Sequence, residues 1–180
     1  MTDTASKLSP VVEKFVLHWG EMGTRWGINR TVAQIHALLY LSPKPLTAEE
    51  IADSLGVARS NVSTSLKELQ NWGVVRITHI LGDRRDHFES LKDVWEMFRL
   101  ILDERKKREC DPTLNLLREC VAESKNSGSD SVSRERLTEM LNFFELMNNW
   151  YTQTRKMSIP AVIRFVKLGD KVAKMLGVGG

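Results

Sequence analysis

A mainly α fold with one small β-hairpin is what the sequence predicts, and three observations predict it. Apolar residues recur at spacings of three and four through most of the 180-residue chain. The period switches to two only once, over residues 73–80, just ahead of a turn rich in Gly and Asp. A Thr47-Ala48-Glu49-Glu50 capping box opens a short helical stretch that meets a longer one across Leu55-Gly56-Val57. Helix, helix, short helix, longer helix, hairpin is the order of a winged helix-turn-helix, here followed by a further helical region.

Residues 8–26 carry Val11, Val12, Phe15, Val16, Trp19 and Met22 at helical spacing, with Pro10 in the first turn, where a missing N–H costs nothing. A second helix over 29–42 presents Val32, Ile35, His36, Leu38, Leu39 and Leu41 and holds no charge after Arg30, so burial is expected. Pro43 and Pro45 stop it. The short helix after Thr47 turns Ile51, Ala52 and Leu55 inward and ends at Gly56; the next, over 58–72, turns Val62, Leu66 and Leu69 inward. Residues 73–80 and 87–90 form the two arms of the hairpin, joined by the turn at 81–86.

Beyond it, residues 91–109 place Val94, Trp95, Phe98, Ile101 and Leu102 on one side and end in the solvated run Arg105-Lys106-Lys107-Arg108. That helix can continue into 114–121 after a kink at Pro112. Residues 124–131, around Gly128, read as a polar loop. Two helices close the chain, over 134–157 and 159–176; the last is basic and amphipathic, with Pro160 in its first turn.

Composition narrows the function classes. An apolar share of 42% and a charged share of 27% exclude wholesale disorder and disulfide scaffolds. No run approaches the roughly 20 apolar residues of a membrane span, and residues 1–6 lack the apolar stretch of a secretory signal, so a cytoplasmic location is expected. Cys110 and Cys120 have no Cys or His at ligand spacing, and His18, His36, His79 and His87 are dispersed, so neither a metal nor a cofactor is expected. Nucleotide-binding glycine motifs and metalloprotease spacing are absent, which argues against an enzyme. Net charge is only +3, so any attraction to nucleic acid must come from a few well-placed cations rather than bulk charge.

Those cations fall in two places. In a helix-turn-helix the second helix enters the major groove, and its outward or N-terminal positions here are Arg59, Ser60, Asn61, Ser63, Thr64 and Lys67. Short hydroxyls and an amide are poor mid-helix residues but good readers of base edges and phosphates. The hairpin tip supplies Arg84 and Arg85 beside Gly82, placed to touch phosphates or the minor groove. Asp83 and Asp86 are suited to pairing with an arginine and holding the wing's shape. One arginine would then be structural and one free, and the residue types do not say which.

The stretch from Leu46 to Ala52, then Leu55-Gly56-Val57-Ala58-Arg59-Ser60-Asn61-Val62-Ser63, Leu66-Lys67-Glu68-Leu69, Trp72-Gly73-Val74-Val75 and the wing Gly82-Asp83-Arg84-Arg85-Asp86 resembles the MarR superfamily. Within it the resemblance is greatest to the GbsR branch, whose named member represses choline-to-glycine-betaine genes. Asp93-Val94-Trp95-Glu96 and the run from Arg105 to Glu109 with Asp111-Pro112 extend the similarity over most of the chain. The resemblance implies a homodimer built from terminal helices, with two recognition helices and two wings on a pseudo-palindromic double-stranded DNA operator. Ala58 departs from the family's frequent Ser at the helix N-cap, which forgoes about 0.5–2 kcal/mol of capping unless Arg59 or Ser60 starts the helix instead.

Dimerisation has support of its own, because the apolar stripes of residues 8–26 and of the helices after Arg134 are wider than a domain of about 80 residues can cover, the alternative being a plain monomeric helical core. The expected organisation is an N-terminal dimerisation helix (1–27), a winged helix-turn-helix (28–90) and a helical linker with a dimerisation and effector region (91–180). The family resemblance also suggests an effector, choline or another quaternary ammonium, which calls for an aromatic cage; Trp19, Trp26, Trp95 and Phe98 are the candidate rings. The expected function is therefore a ligand-responsive repressor. The alternative is a winged-helix module that binds protein instead of DNA, with the same arginines and lysine as mere solvated surface.

Overall fold

The computed structural model describes residues 8–126 and 131–175 and divides into two compact units, residues 1–101 and 102–180. In the first unit, helix α1 (Pro10–Arg25) is capped by the Ser9 hydroxyl, which accepts from the Val12 N–H at 3.4 Å. It packs on α2 (Arg30–Leu41), whose N-terminus is capped by the Asn29 side chain. Two small residues let the helices meet closely: a Cβ on Gly23 would stand 2.5 Å from that of Ala33, and one on Gly20 would stand 2.6 Å from Gln34 Cγ. The buried face of α1 runs along Val12, Val16, Gly20 and Gly23, so Val11, about 100° round the helix from Val12, is 78% exposed rather than inward. Ile35, Leu38 and Leu39 of α2 form the centre of the core, whereas Leu41, the last helical residue, is exposed.

Strand β1 (Leu46–Thr47) leads into α3 (Ala48–Leu55), then α4 (Arg59–Asn71), β2 (Val75–Thr78) and β3 (His87–Ser90). The sheet is antiparallel in the order β1-β3-β2, with Leu46 opposite Phe88, Thr47 opposite His87 and Thr78 also opposite His87. Two differences from the sequence reading have local causes. β1 is only two residues long, too short to show a period, and β2 is shorter than the predicted 73–80. It begins after a left-handed Gly73 (φ 74°) that ends α4, and it stops where the turn's own hydrogen bonds take over. Lys92 closes the unit by donating to the carbonyls of Leu39, Tyr40 and Ser42 at 2.8–2.9 Å, satisfying the C-terminal end of α2.

Helix α5 (Val94–Arg105), N-capped by Asp93, gives way to a π-turn (Lys106–Cys110) and α6 (Asp111–Asn126). The disturbance expected as a kink at Pro112 is this wider turn just ahead of it. Proline has no N–H to donate, and its ring crowds the carbonyl four residues back; the five-residue turn, with Asp111 N–H bonded to Lys106 O, accommodates both. In the second unit α6 packs against α7 (Ser131–Lys156), tied by Arg118 to Glu145 at 3.2 Å, while Asp103 accepts from Arg155 and from the Tyr151 hydroxyl. α8 (Ile159–Met175) follows. Of the predicted polar loop, residues 124–126 and 131 are helical and 127–130 lie outside the described residues, as do residues 1–7 and Leu176. Cys110 and Cys120 are free thiols, and no helix among the described residues is long and apolar enough to cross a membrane.

Candidate nucleic-acid interface

The Thr47 box that starts α3 is complete: the Thr47 hydroxyl accepts from the Glu50 N–H at 3.2 Å, and Glu50 accepts from the Thr47 N–H at 2.7 Å. Burial pushes the Glu50 carboxyl up, but the Thr47 hydrogen bonds and the Lys44 ammonium outweigh it and leave it below its ordinary range. Gly56, in the left-handed region at φ 62°, turns the chain from α3 into α4. At the α4 N-cap Ala58 offers no side-chain bond. Arg59 instead reaches back to Glu49 at 2.7 Å, tying the two helices together.

Val62, Ser65, Leu66 and Leu69 are the buried face of α4. All six predicted reading residues, Arg59, Ser60, Asn61, Ser63, Thr64 and Lys67, are exposed on the remainder. The Thr64 hydroxyl donates to the Ser60 carbonyl at 3.1 Å, which leaves its oxygen free to accept from a base or water. With Arg59 engaged by Glu49, Lys67 is the cation of this face that has no acidic partner among the described residues.

The wing separates its two arginines. Asp83 accepts from the Arg85 backbone N–H at 3.0 Å and from its guanidinium at 2.5–3.1 Å, and its own N–H donates to the Ile80 carbonyl at 3.0 Å. These Arg85 hydrogen bonds hold the Asp83 carboxyl well below the usual carboxylate range. Buried His87 braces the same loop, Nδ1 lying 3.0 Å from the Arg85 carbonyl and Nε2 3.5 Å from Asp83. Arg85 is thus the structural arginine, and Arg84 is exposed without an acidic partner among the described residues. Asp86 holds neither arginine, contrary to expectation, because Asp83 alone meets the guanidinium of Arg85. Lower on the wing, Arg76 and Thr78 both donate to Glu89, at 2.7 and 3.1 Å. Residue type alone did not single out His87 or Glu89, since their part in the wing depends on cross-strand register.

The candidate effector rings do not come together as a set. Trp19 and Trp26 join Trp72, Met22 and His36 around a small apolar cavity of about 40 Å³, whereas Trp95 is half-buried and Phe98 exposed outside that lining. His36 Nε2 is buried there with no hydrogen-bond partner among the described residues, and burial lowers the imidazole pKa to about 4, so it is neutral at physiological pH. Leu69 of α4 also lines this cavity.

Residues 26–86 match the model of the MarR family. Over 98 residues the chain is 26% identical to the HTH-type transcriptional repressor GbsR of Bacillus subtilis strain 168, covering 54% of each protein. Over 73 residues it is 22% identical to the HTH-type transcriptional repressor OpcR of the same organism, covering 41% of this chain and 40% of that one. The chain spans about half the length, or less, of the curated relatives it matches. Its fold is similar to that of a transcriptional regulator of known crystal structure, with a TM-score of 0.63 at 21% identity over 81% of this chain and 96% of the other.

Proposed function

We propose, from the match of residues 26–86 to the MarR family, that the protein is a sequence-specific DNA-binding transcriptional repressor. It acts as a homodimer on a pseudo-palindromic operator. The observation that carries this reading is the exposed face of α4, where six polar or cationic side chains stand over a helix whose opposite face is wholly buried. Ser60, Asn61, Ser63 and Thr64 offer short donors and acceptors of the kind that read base edges, and Lys67 offers a phosphate contact. Arg84 of the wing supplies a second cation, held by a hairpin that Asp83 keeps in shape.

The second copy would join through the terminal helices. Met140, Phe143, Met147 and Trp150 of α7, spaced three, four and three residues apart, are each 43–57% exposed, a seam that suits a second helix of the same kind. On this reading residues 28–90 bind DNA, and residues 1–27 and 91–180 serve dimerisation and ligand response. α1 packs on α2 within the first unit and would contribute from there.

For the effector, the Trp19, Trp26 and Trp72 cavity is the favoured place, and a quaternary ammonium such as choline is the favoured class, held by cation–π attraction. At about 40 Å³ the cavity is smaller than the roughly 150 Å³ that benzene occupies in an engineered protein core. Binding must therefore open it, and because Leu69 and Trp72 belong to the end of the recognition helix, opening would shift α4.

Selection from random duplex DNA by the full chain tests the function. An enriched inverted repeat with half-site centres about 10 bp apart, or a multiple of that, is the expected result. Failure to enrich any sequence, with tight retention of a protein partner instead, would move the reading to the protein-interaction module.

A further inference from the structure

The wing carries an apolar residue that the function above does not use. Leu81 is 104% exposed, so its side chain is not packed against the other described residues, and its neighbours Ile80 and Ile77 are 43% and 40% exposed. A hairpin tip in water is ordinarily built of polar residues, as the adjacent Gly82, Asp83 and Arg84 are. Leu81 is also not on a loose loop. Gly82, at φ 87°, makes the bend, and the Asp83 N–H closes it onto the Ile80 carbonyl at 3.0 Å. Asp83 and Arg85 brace it from within the turn, and His87 braces it from the other strand. Leu81 and Arg84 are thus presented on one braced turn, an aliphatic side chain and a cation without an acidic partner among the described residues, with little ordering left to do on binding.

Resting on the DNA-binding reading, we propose that Leu81 is an apolar wedge that enters the minor groove beside Arg84 and partly unstacks a base step, making the operator prefer a pyrimidine–purine step at that position. The charge decides the partner. Arg84 favours the negative potential of a narrow minor groove, and the groove's walls offer sugar edges against which an aliphatic side chain packs. Aliphatic wedges of this kind open base steps and kink the duplex, and TA and CA/TG steps unstack most easily. Specificity then arises at a position where no base-edge hydrogen bond is made.

The test uses the full chain and the sequence recovered by selection, with affinity and DNA bend angle read for the parent, Leu81→Ala and Arg84→Ala, each on the selected site and on one with the pyrimidine–purine step replaced by a stiff A-tract step. Leu81→Ala is expected to lose about tenfold in affinity and part of the bend, while the slope of affinity against salt stays that of the parent. Replacing the step should weaken the parent and leave Leu81→Ala unmoved. Arg84→Ala, by contrast, should flatten the salt slope. Leu81→Ala that binds and bends as the parent does, with the step change costing both alike, overturns the wedge while the DNA-binding reading stands. A parent that binds no DNA overturns that reading and the wedge with it. A Leu81→Ala effect confined to self-association overturns the wedge alone.

Discussion

Asp83 is the residue on which the wing's shape depends, and its substitution separates shape from charge. If only net charge mattered, Asp83→Asn would raise DNA affinity by removing a negative group near phosphate. The amide accepts at one atom where the carboxylate accepts at two, so Arg85 loses its paired contacts and the turn loosens. We expect a several-fold loss of affinity in a gel-shift titration. That Arg85 and not Arg84 is the held arginine was closed to sequence reasoning, because both types are equal and only the turn's geometry chooses between them. A second residue gives a pH signature. Burial lowers His36 to about 4 in the folded state, against roughly 6.5 unfolded, so the unfolded chain takes up the proton first. Stability is therefore intact above about pH 6.5 and falls as pH drops toward 4, by about 3 kcal/mol from this residue. Denaturant melts of His36→Gln at pH 7 and 4.5 should show a smaller fall between the two values than the parent; an equal fall would contradict the assignment.

At the scale of elements, the order of helices and hairpin was legible because a buried stripe imposes its period on the sequence. Thr47 and Gly56 marked the limits of α3 through backbone chemistry that only a few residue types satisfy. What stayed hidden had no period to show. β1 is two residues, the π-turn is a response to Pro112, and the close approach of α1 and α2 rests on Gly20 and Gly23, which an apolar-stripe reading passes over. The recognition helix keeps one uncapped end, at Ala58. Ala58→Ser should stabilise the protein by about 1 kcal/mol and raise Tm by about 3 °C, provided the new hydroxyl accepts from an N–H in the first turn of α4. Thr47→Ala, which strips the capping box of α3, should lower stability by a similar amount. Thermal melts of both variants read this directly, and an unchanged Tm for Thr47→Ala would show that Glu50 and the sheet hold the start of α3 without it.

For the whole molecule, the winged helix-turn-helix was readable from sequence, whereas the second unit was readable only as helices. Its apolar exposure at Met140, Phe143, Met147 and Trp150 has no cover within the described chain, which is why a dimer is the natural state on this account. Sedimentation equilibrium should give twice the chain mass, and Phe143→Lys with Trp150→Lys should return monomers that keep their helical content. The effector candidates were the least legible feature, since a ring's partners depend on tertiary packing; of the four, Trp19 and Trp26 line the cavity and Trp95 and Phe98 do not. The central claim, that α4 and the wing meet DNA, is tested most directly by the salt dependence of binding to the selected duplex for the parent, Lys67→Ala and Arg84→Ala. Each DNA-contacting cation removed from both copies of a dimer, whether at a phosphate or in the groove, should flatten the slope of log affinity against log salt by about 2. Parent binding that weakens steeply with salt, with a shallower slope in both variants, is the predicted result; binding indifferent to salt, or slopes unchanged by either substitution, would contradict it.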